Sequence, residues 1–282
     1  SSFVSGRNTI YIGQNYSIDQ ALGLRDGNNA MSVLTAHNSN ESFLSFTESA
    51  NSGNIIGSKY NLDNALSFNV MAYKGTHSDY NLNEKGFLMS IKHSSKANSD
   101  FSLFIGQNSE MDGLLRTSGQ GAFGNFAGET FHLGTTFNKE ITGNVHLAGL
   151  FNYGLVNSNS DNAGFLSDIS DLKTSQFNLG MVVSGLGKGN NLVSLNLSQP
   201  IRVESGFANL TIPGRLDKNG KVTHTTKKLS LEPSGRELNI DLGYEIKLFN
   251  GALKLGSQLM FDAVHMESNN SENVYGIFKT SF

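Results

Sequence analysis

The sequence predicts an all-β fold: an antiparallel transmembrane β-barrel of about twelve strands with a projecting external hairpin. Three observations predict it. Apolar and polar residues alternate with period two in run after run, the connections between runs sort into short and long, and the last residue, Phe282, is aromatic. Composition sets the outer bounds. Among the 282 residues there is no apolar run long enough for a membrane-spanning helix. The mean hydropathy of -0.25 still fits a barrel, because only alternate residues of each strand need face lipid. A net charge of -3 provides no broad basic field, so nucleic acid is not an expected partner. Without Cys there are no disulfides or thiolate metal sites. Ser1-Ser2-Phe3-Val4 has neither the charged nor the apolar stretch of an export signal, so a mature or cleaved form is expected.

The alternation is cleanest toward the C-terminus. In 236–248, Leu238, Ile240, Leu242, Tyr244, Ile246 and Leu248 share one face and Glu237, Asn239, Asp241, Gly243, Glu245 and Lys247 the other. In 251–264, Leu253, Leu255, Leu259 and Phe261 oppose Lys254, Gln258 and Asp262, and Asn250-Gly251 marks a tight hairpin between the two runs. Such patterning excludes a helix, whose faces repeat every 3.6 residues. The same period recurs at Phe131–Phe137, Val145–Leu155, Phe177–Val183 and Val193–Leu197. Weaker runs lie at 30–37, 41–48, 65–75, 85–94 and 99–107, and 272–282 completes the set.

Connections fall into two classes. Short ones are expected at 94–98, 138–142, 185–190 and 248–251, and long ones at 76–84, 107–128, 155–173, 199–235 and 264–272. Outer-membrane barrels sort their connections in this way, with short turns on the periplasmic side and long loops outside. The segment 49–64 breaks the rule, since parity makes it a periplasmic turn although it is long. A soluble β-sandwich would have no reason to sort its loops by length.

The final residues Val274-Tyr275-Gly276-Ile277-Phe278-Lys279-Thr280-Ser281-Phe282 place Phe278 and Phe282 on one face. This resembles the C-terminal signal of outer-membrane proteins that the barrel assembly machinery reads, although Thr280 stands where an aromatic or apolar residue is usual. Two further segments are distinctive: Leu197-Ser198-Gln199-Pro200-Ile201-Arg202-Val203-Glu204-Ser205-Gly206 and Leu229-Ser230-Leu231-Glu232-Pro233-Ser234-Gly235-Arg236-Glu237-Leu238. Together they resemble the C-terminal translocator β-barrel domain of subtilisin-like (S8-type) autotransporter serine proteases. His265 sits where that family has a loop His, with Ala263-Val264 replacing the Pro-Gly often found before it. The resemblance covers about 197–265.

The resemblance implies an outer-membrane translocator and anchor of a Gram-negative autotransporter (type V secretion), passing or tethering an N-terminal passenger. Residues 1–29 would then be a linker entering the barrel and residues 30–282 the barrel itself. Expected partners are outer-membrane lipids and lipopolysaccharide, the barrel assembly machinery and the chain's own passenger, around a monomeric barrel. The resemblance implies neither a catalytic residue nor a cofactor in this region, since the protease triad belongs to the passenger. From the same architecture, a small-solute channel and an outer-membrane lipid hydrolase remain alternatives.

Other motifs are weak. Gly119-Gln120-Gly121-Ala122-Phe123-Gly124 has dinucleotide-like glycine spacing but precedes a strand rather than a helix, and Gly185-Leu186-Gly187-Lys188 reads as a turn. No two of the seven His residues have metal-ligand spacing, though His132 and His146 fall on lumen faces of neighbouring strands and could approach. Within Pro200–Pro233, two extended runs around Asp217-Lys218-Asn219-Gly220 predict the external hairpin, at about 200–233. Arg202, Glu204, Arg236 and Glu237 would cluster at its base as an ion network, and reversing both charges of a directly paired Arg202 and Glu204 should restore stability.

Overall fold

The computed structural model describes residues 2–14, 53–77, 82–95, 98–111, 113–115, 117, 123–160, 164–186, 191–248 and 251–280. Strands dominate them. Thirteen form one antiparallel sheet: β1 (Ser2–Ser5), β2 (Asn8–Gln14), β3 (Asn54–Asn61), β4 (Leu66–His77), β5 (Leu82–Ser95), β6 (Ser99–Glu110), β7 (Phe126–Thr142), β8 (Val145–Ser160), β10 (Leu172–Ser184), β11 (Asn191–Ser205), β14 (Leu238–Leu248), β15 (Gly251–Phe261) and β16 (Ser271–Thr280). A second, three-stranded sheet contains β9 (Leu166–Ser167), β12 (Phe207–Leu216) and β13 (Val222–Ser230). Each strand of the large sheet pairs with its neighbour in the chain, apart from the excursions through the small sheet.

Register carries the alternation across the whole sheet. Ile12, Ile56, Ala72, Phe87, Gln107, Phe131 and Leu155 form one continuous cross-strand row. Val193, Tyr244 and Leu255 form another on the same face. A one-residue slip at any pairing would put the apolar set on the opposite face. The sheet therefore has one apolar side, and a second side on which polar residues are interspersed with buried Ile55, Met71, Leu88 and Phe104.

Burial on these two sides is the reverse of a soluble protein's. Phe151 is 49% exposed while its neighbour Asn152 is 1% exposed, and Leu133 is 51% exposed beside His132 at 1%. Asn69, Asn108, Thr136, Gln176, Ser194, Asn196 and Asp241 are buried, whereas Ile91, Leu103, Ile105, Leu179, Leu195, Leu242 and Leu259 are exposed. In water, exposing that many apolar side chains on one contiguous face would forfeit the main driving force for folding.

The loop sorting holds in part, and the segment that broke it is explained. β4 ends at His77 and β5 begins at Leu82, so the connection expected to be long at 76–84 is no longer than the one between Asn61 and Leu66. Residues 54–61 are strand β3, followed by a tight turn at 62–65 where Asp63 Oδ1 accepts the Ala65 and Leu66 N–H groups at 2.6 and 2.7 Å. The connections that follow β3, β5, β7, β10 and β14 all lie at one end of the sheet, and those that follow β2, β4, β6, β8, β11 and β15, the long-loop end, at the other. β7 runs on to Thr142, so the turn expected at 138–142 is Gly143-Asn144 instead. Residues 2–14, within the stretch read as a linker, are β1 and β2 of the large sheet. The strands expected at 30–37 and 41–48 lie outside the described residues, as does most of Gly119–Gly124.

Direction distinguishes β1 from the rest. Excluding it, twelve strands from β2 to β16 alternate in direction, so β2 and β16 run antiparallel to each other. β1 runs parallel to β16 and occupies the free edge of β2 for four residues.

Candidate functional site: the polar face and its rim network

Polar side chains on the inner parity hydrogen-bond to one another across neighbouring strands. His132 Nε2 lies 2.7 Å from Asn108 Oδ1, an oxygen that can only accept, so Nε2 carries the proton. His132 Nδ1 then accepts from Asn152 Nδ2 at 3.4 Å, and Asn196 Nδ2 donates to Asp241 Oδ2 at 3.2 Å. Those bonds fix the amide orientations and leave Asn152 Oδ1 and Asn196 Oδ1 buried without a hydrogen-bond partner, as are Thr174 Oγ1, Asn178 Oδ1 and Asn239 Oδ1. Charges on this face include the cross-strand pairs Lys92–Asp100 at 2.9 Å and Lys254–Glu245 at 3.0 Å. Tyr73 donates to Glu84 at 2.9 Å, and Glu84 registers with Glu110.

At the long-loop end, apolar residues cover part of the polar face. Leu114, Val156 and Leu172 are buried together, with Leu115, Phe126, Ile169, Val203 and Leu231 packed against them. Leu114 and Leu115 from the β6–β7 connection and Ile169 from the β8–β10 connection thus pack over the long-loop end of the polar face.

The base of the hairpin is built on a bulge. Phe177 registers with Gln199, but Ser175 registers with Arg202, so Pro200 and Ile201 are accommodated where the ladder breaks. Proline lacks an N–H and is tolerated in a strand at such a break. The bulge reverses side-chain parity: Asn196 and Ser198 continue the inner face before it, and Val203 takes that face after it. Arg202 registers with Ser175 on the opposite side. Gly206 separates β11 from β12, and a Cβ there would collide with the Leu172 side chain.

Arg202, Glu204 and Arg236 meet here. Arg202 Nη1 lies 2.6 Å from Glu204 Oε2, while Arg202 Nε and Nη2 donate to the carbonyls of Gly235 and Pro233, each at 3.1 Å. Arg236 holds both Glu204 oxygens, at 2.9 and 2.8 Å. Arg236 also donates to Gln199 Oε1 at 2.5 Å, and Ser175 Oγ donates to Glu204 Oε1 at 2.5 Å. Glu232 adds a longer contact to Arg202 at 3.4 Å. The two distinctive sequence segments are thus two sides of one network.

Glu237 belongs to a neighbouring arrangement. Its Oε1 accepts from Asn239 at 2.8 Å and its Oε2 from the Val264 N–H at 2.6 Å. Its own N–H donates to His265 Nδ1 at 2.9 Å, and His265 Nε2 donates to the Ile201 carbonyl at 3.0 Å. With Nδ1 an acceptor, His265 is neutral, and burial holds its pKa below the ordinary value. Asp262, Val264, His265 and Ser268 all have positive φ, so this loop is held in a conformation that β-branched Val264 rarely adopts.

The sequence reading placed Arg202, Glu204 and Arg236 together, and the structure brings them together, with Glu237 one step removed. Gln199, Ser175 and Glu232 join them as well, as does Asp262, whose Oδ2 accepts the Arg236 N–H at 3.2 Å. Ser175 and Gln199 carry no local signal, because the bulge that aligns them depends on pairing between β10 and β11. Phe278 sits on the apolar face opposite Leu253, 57% exposed, while Phe282 lies outside the described residues. His132 and His146 are not brought together: His132 registers with Gly154 in the middle part of the β7–β8 pair and His146 with Glu140 near its short-turn end. Among the described residues, no group of three His, Cys, Asp or Glu side chains could hold a metal ion.

The chain matches no family model and no curated protein. Among solved structures it is similar to the siderophore receptor PiuA from Acinetobacter baumannii, at 11% identity and a TM-score of 0.38, covering 80% of this chain and 44% of that one.

Proposed function

We propose that the chain is an outer-membrane β-barrel acting as the translocator and anchor of an autotransporter, with the long connections outside the cell. The observation that carries the membrane reading is the inverted burial: buried Asn, Thr, Ser and Gln on one face of the large antiparallel sheet, exposed Leu, Ile and Phe on the other. Lipid is the solvent in which that face is stable, and a ring is the form in which a sheet in lipid leaves no unpaired edge. Twelve alternating strands give β2 and β16 opposite directions, which suits antiparallel closure; β1 would have to leave the β2 edge.

The translocator part of the reading is supported by the resemblance of 197–206 and 229–238, whose residues share one network. The packed inner face and the apolar cluster at its mouth favour a narrow bore over a wide solute channel. Passenger-linked function is tested by cloning the reading frame upstream of Ser1. A subtilisin-type domain there is the expected result, and an export signal directly preceding Ser1 would overturn it. Closure is tested by scanning disulfide formation between cysteines placed on β2 and β16 of the folded protein; cross-links confined to an antiparallel register are expected.

A further inference from the structure

The outward face ends in a polar row at its long-loop side. Gln14, Asn54, Lys74, Lys85, Ser109, Glu129 and Asn157 are successive cross-strand partners from β2 to β8. The next row toward the middle of the sheet is Ile12, Ile56, Ala72, Phe87, Gln107, Phe131 and Leu155 by the same registers. The change from apolar to polar therefore occurs within one step of the ladder. On the proposed membrane reading, which this inference extends, that row lies where lipid headgroups begin.

Lys74 and Lys85 stand directly opposite each other in this row, both exposed. Directly opposed side chains on neighbouring strands have Cβ atoms roughly 5 Å apart, and like charges so placed destabilise the pair. Neither lysine forms an ion pair among the described residues. The nearest carboxylate along the row is Glu129, two strands from Lys85 beyond Ser109, or about 9.6 Å of sheet. The other outward neighbours, Asn54 and Ser109, are neutral. Phe87 and Ala72 lie immediately beneath the pair, and Ile12, Ile56, Ala72 and Lys74 line a common hollow over β2–β4.

We propose that Lys74 and Lys85 clamp a phosphate group of lipopolysaccharide in the outer leaflet, with an acyl chain lying against Ile56, Ala72 and Phe87. An ammonium offers three donors and a phosphate monoester three acceptor oxygens, so one phosphate bridges both lysines and turns their repulsion into a shared attraction. A soluble polyanion would satisfy the lysines but not the apolar row. A neutral lipid would do the reverse.

The test uses the full chain folded in detergent, following thermal unfolding while lipopolysaccharide or its enzymatically dephosphorylated form is titrated in. For the wild type, phosphorylated lipid raises the midpoint. For K74Q/K85Q, the half-saturating concentration should increase by roughly thirtyfold, about fivefold for each lysine beside an anionic surface. Without lipid, K85E should melt above the wild type, because the opposed pair then carries opposite signs, yet it should lose the lipid response. Equal responses of wild type and K74Q/K85Q, or of wild type to both lipid forms, would overturn the clamp. The membrane reading fails separately: a chain that folds and stays soluble with no amphiphile present sinks both, whereas one that needs amphiphile but ignores phosphate sinks the clamp alone.

Discussion

Arg202 shows why a close ion pair need not behave as an exchangeable one. Its guanidinium satisfies the Glu204 carboxylate and the Pro233 and Gly235 carbonyls together. In R202E/E204R, a carboxylate would face those two carbonyls with nothing to donate. The double reversal is therefore expected to leave the protein as unstable as the R202E single variant, although the pairing is direct. Removing the side chain in R202A leaves the Pro233 and Gly235 carbonyls without this donor and Glu204 to Arg236 and Ser175 alone, at a cost of about 3 kcal/mol in thermal or denaturant unfolding. R202K keeps the charge but cannot reach all three acceptors, so it should fall between wild type and R202A.

His265 makes the neighbouring loop sensitive to pH. Burial depresses its pKa, the Arg202 and Arg236 charges push the same way, and the Ile201 carbonyl and Glu237 oppose them. A His whose folded pKa lies below its unfolded value contributes stability that is present above the unfolded value and is lost as pH falls through the folded one. Protonation at Nδ1 would also abolish its bond from the Glu237 N–H. Amide hydrogen exchange at Val264 and Glu237, corrected for intrinsic rates, should accelerate below about pH 6.5 in the wild type. In H265F it should be fast at every pH, with the pH dependence gone; a wild-type profile that is flat would contradict the neutral assignment.

At the scale of elements, the hairpin rests on one turn and one bulge. Asp217 Oδ1 accepts the Asn219 and Lys221 N–H groups, each at 2.8 Å, and Gly220 takes a φ of 75°. D217A should fray the hairpin tip by about 1 kcal/mol, read as faster exchange at Val222 and Thr223, while leaving the unfolding midpoint of the large sheet unchanged. This turn was visible in the sequence because Asp-Lys-Asn-Gly carries its own chemistry. The strands of β14 and β15 were visible for the same kind of reason, since unbroken alternation needs no partner to be recognised. β3 was not: in Asn54-Ile55-Ile56-Gly57-Ser58-Lys59-Tyr60-Asn61, Ile55 and Gly57 face inward and Ile56 and Tyr60 outward, so both faces carry apolar groups and the alternation is erased. Gly57 is there because the Tyr11 ring lies across it, a long-range contact that no local window shows. The rim network was half visible. Its charges stand out in two segments, but the partners Ser175 and Gln199 depend on a register break that only strand pairing reveals.

For the whole molecule, depth along the apolar face decides the response to a basic side chain. Leu133 lies near the middle of the apolar side, opposite Ile105 on one neighbour and Tyr153 on the other. If lipid covers this face, L133R places a charge near the bilayer midplane and should destabilise the folded protein by about 2–4 kcal/mol in phospholipid vesicles. The rim is different: at Lys139, beside the short turns, exchange of Lys for Arg should be neutral, because there the side chain is already at the interface. In water neither change would matter, since an exposed Leu133 would accept Arg without loss. Unfolding of L133R and K139R in vesicles, followed by the loss of heat-modifiable migration, distinguishes the two. A barrel predicts a steep penalty for L133R alone, and equal stability of both variants with the wild type would mean that water, not lipid, bathes the apolar face.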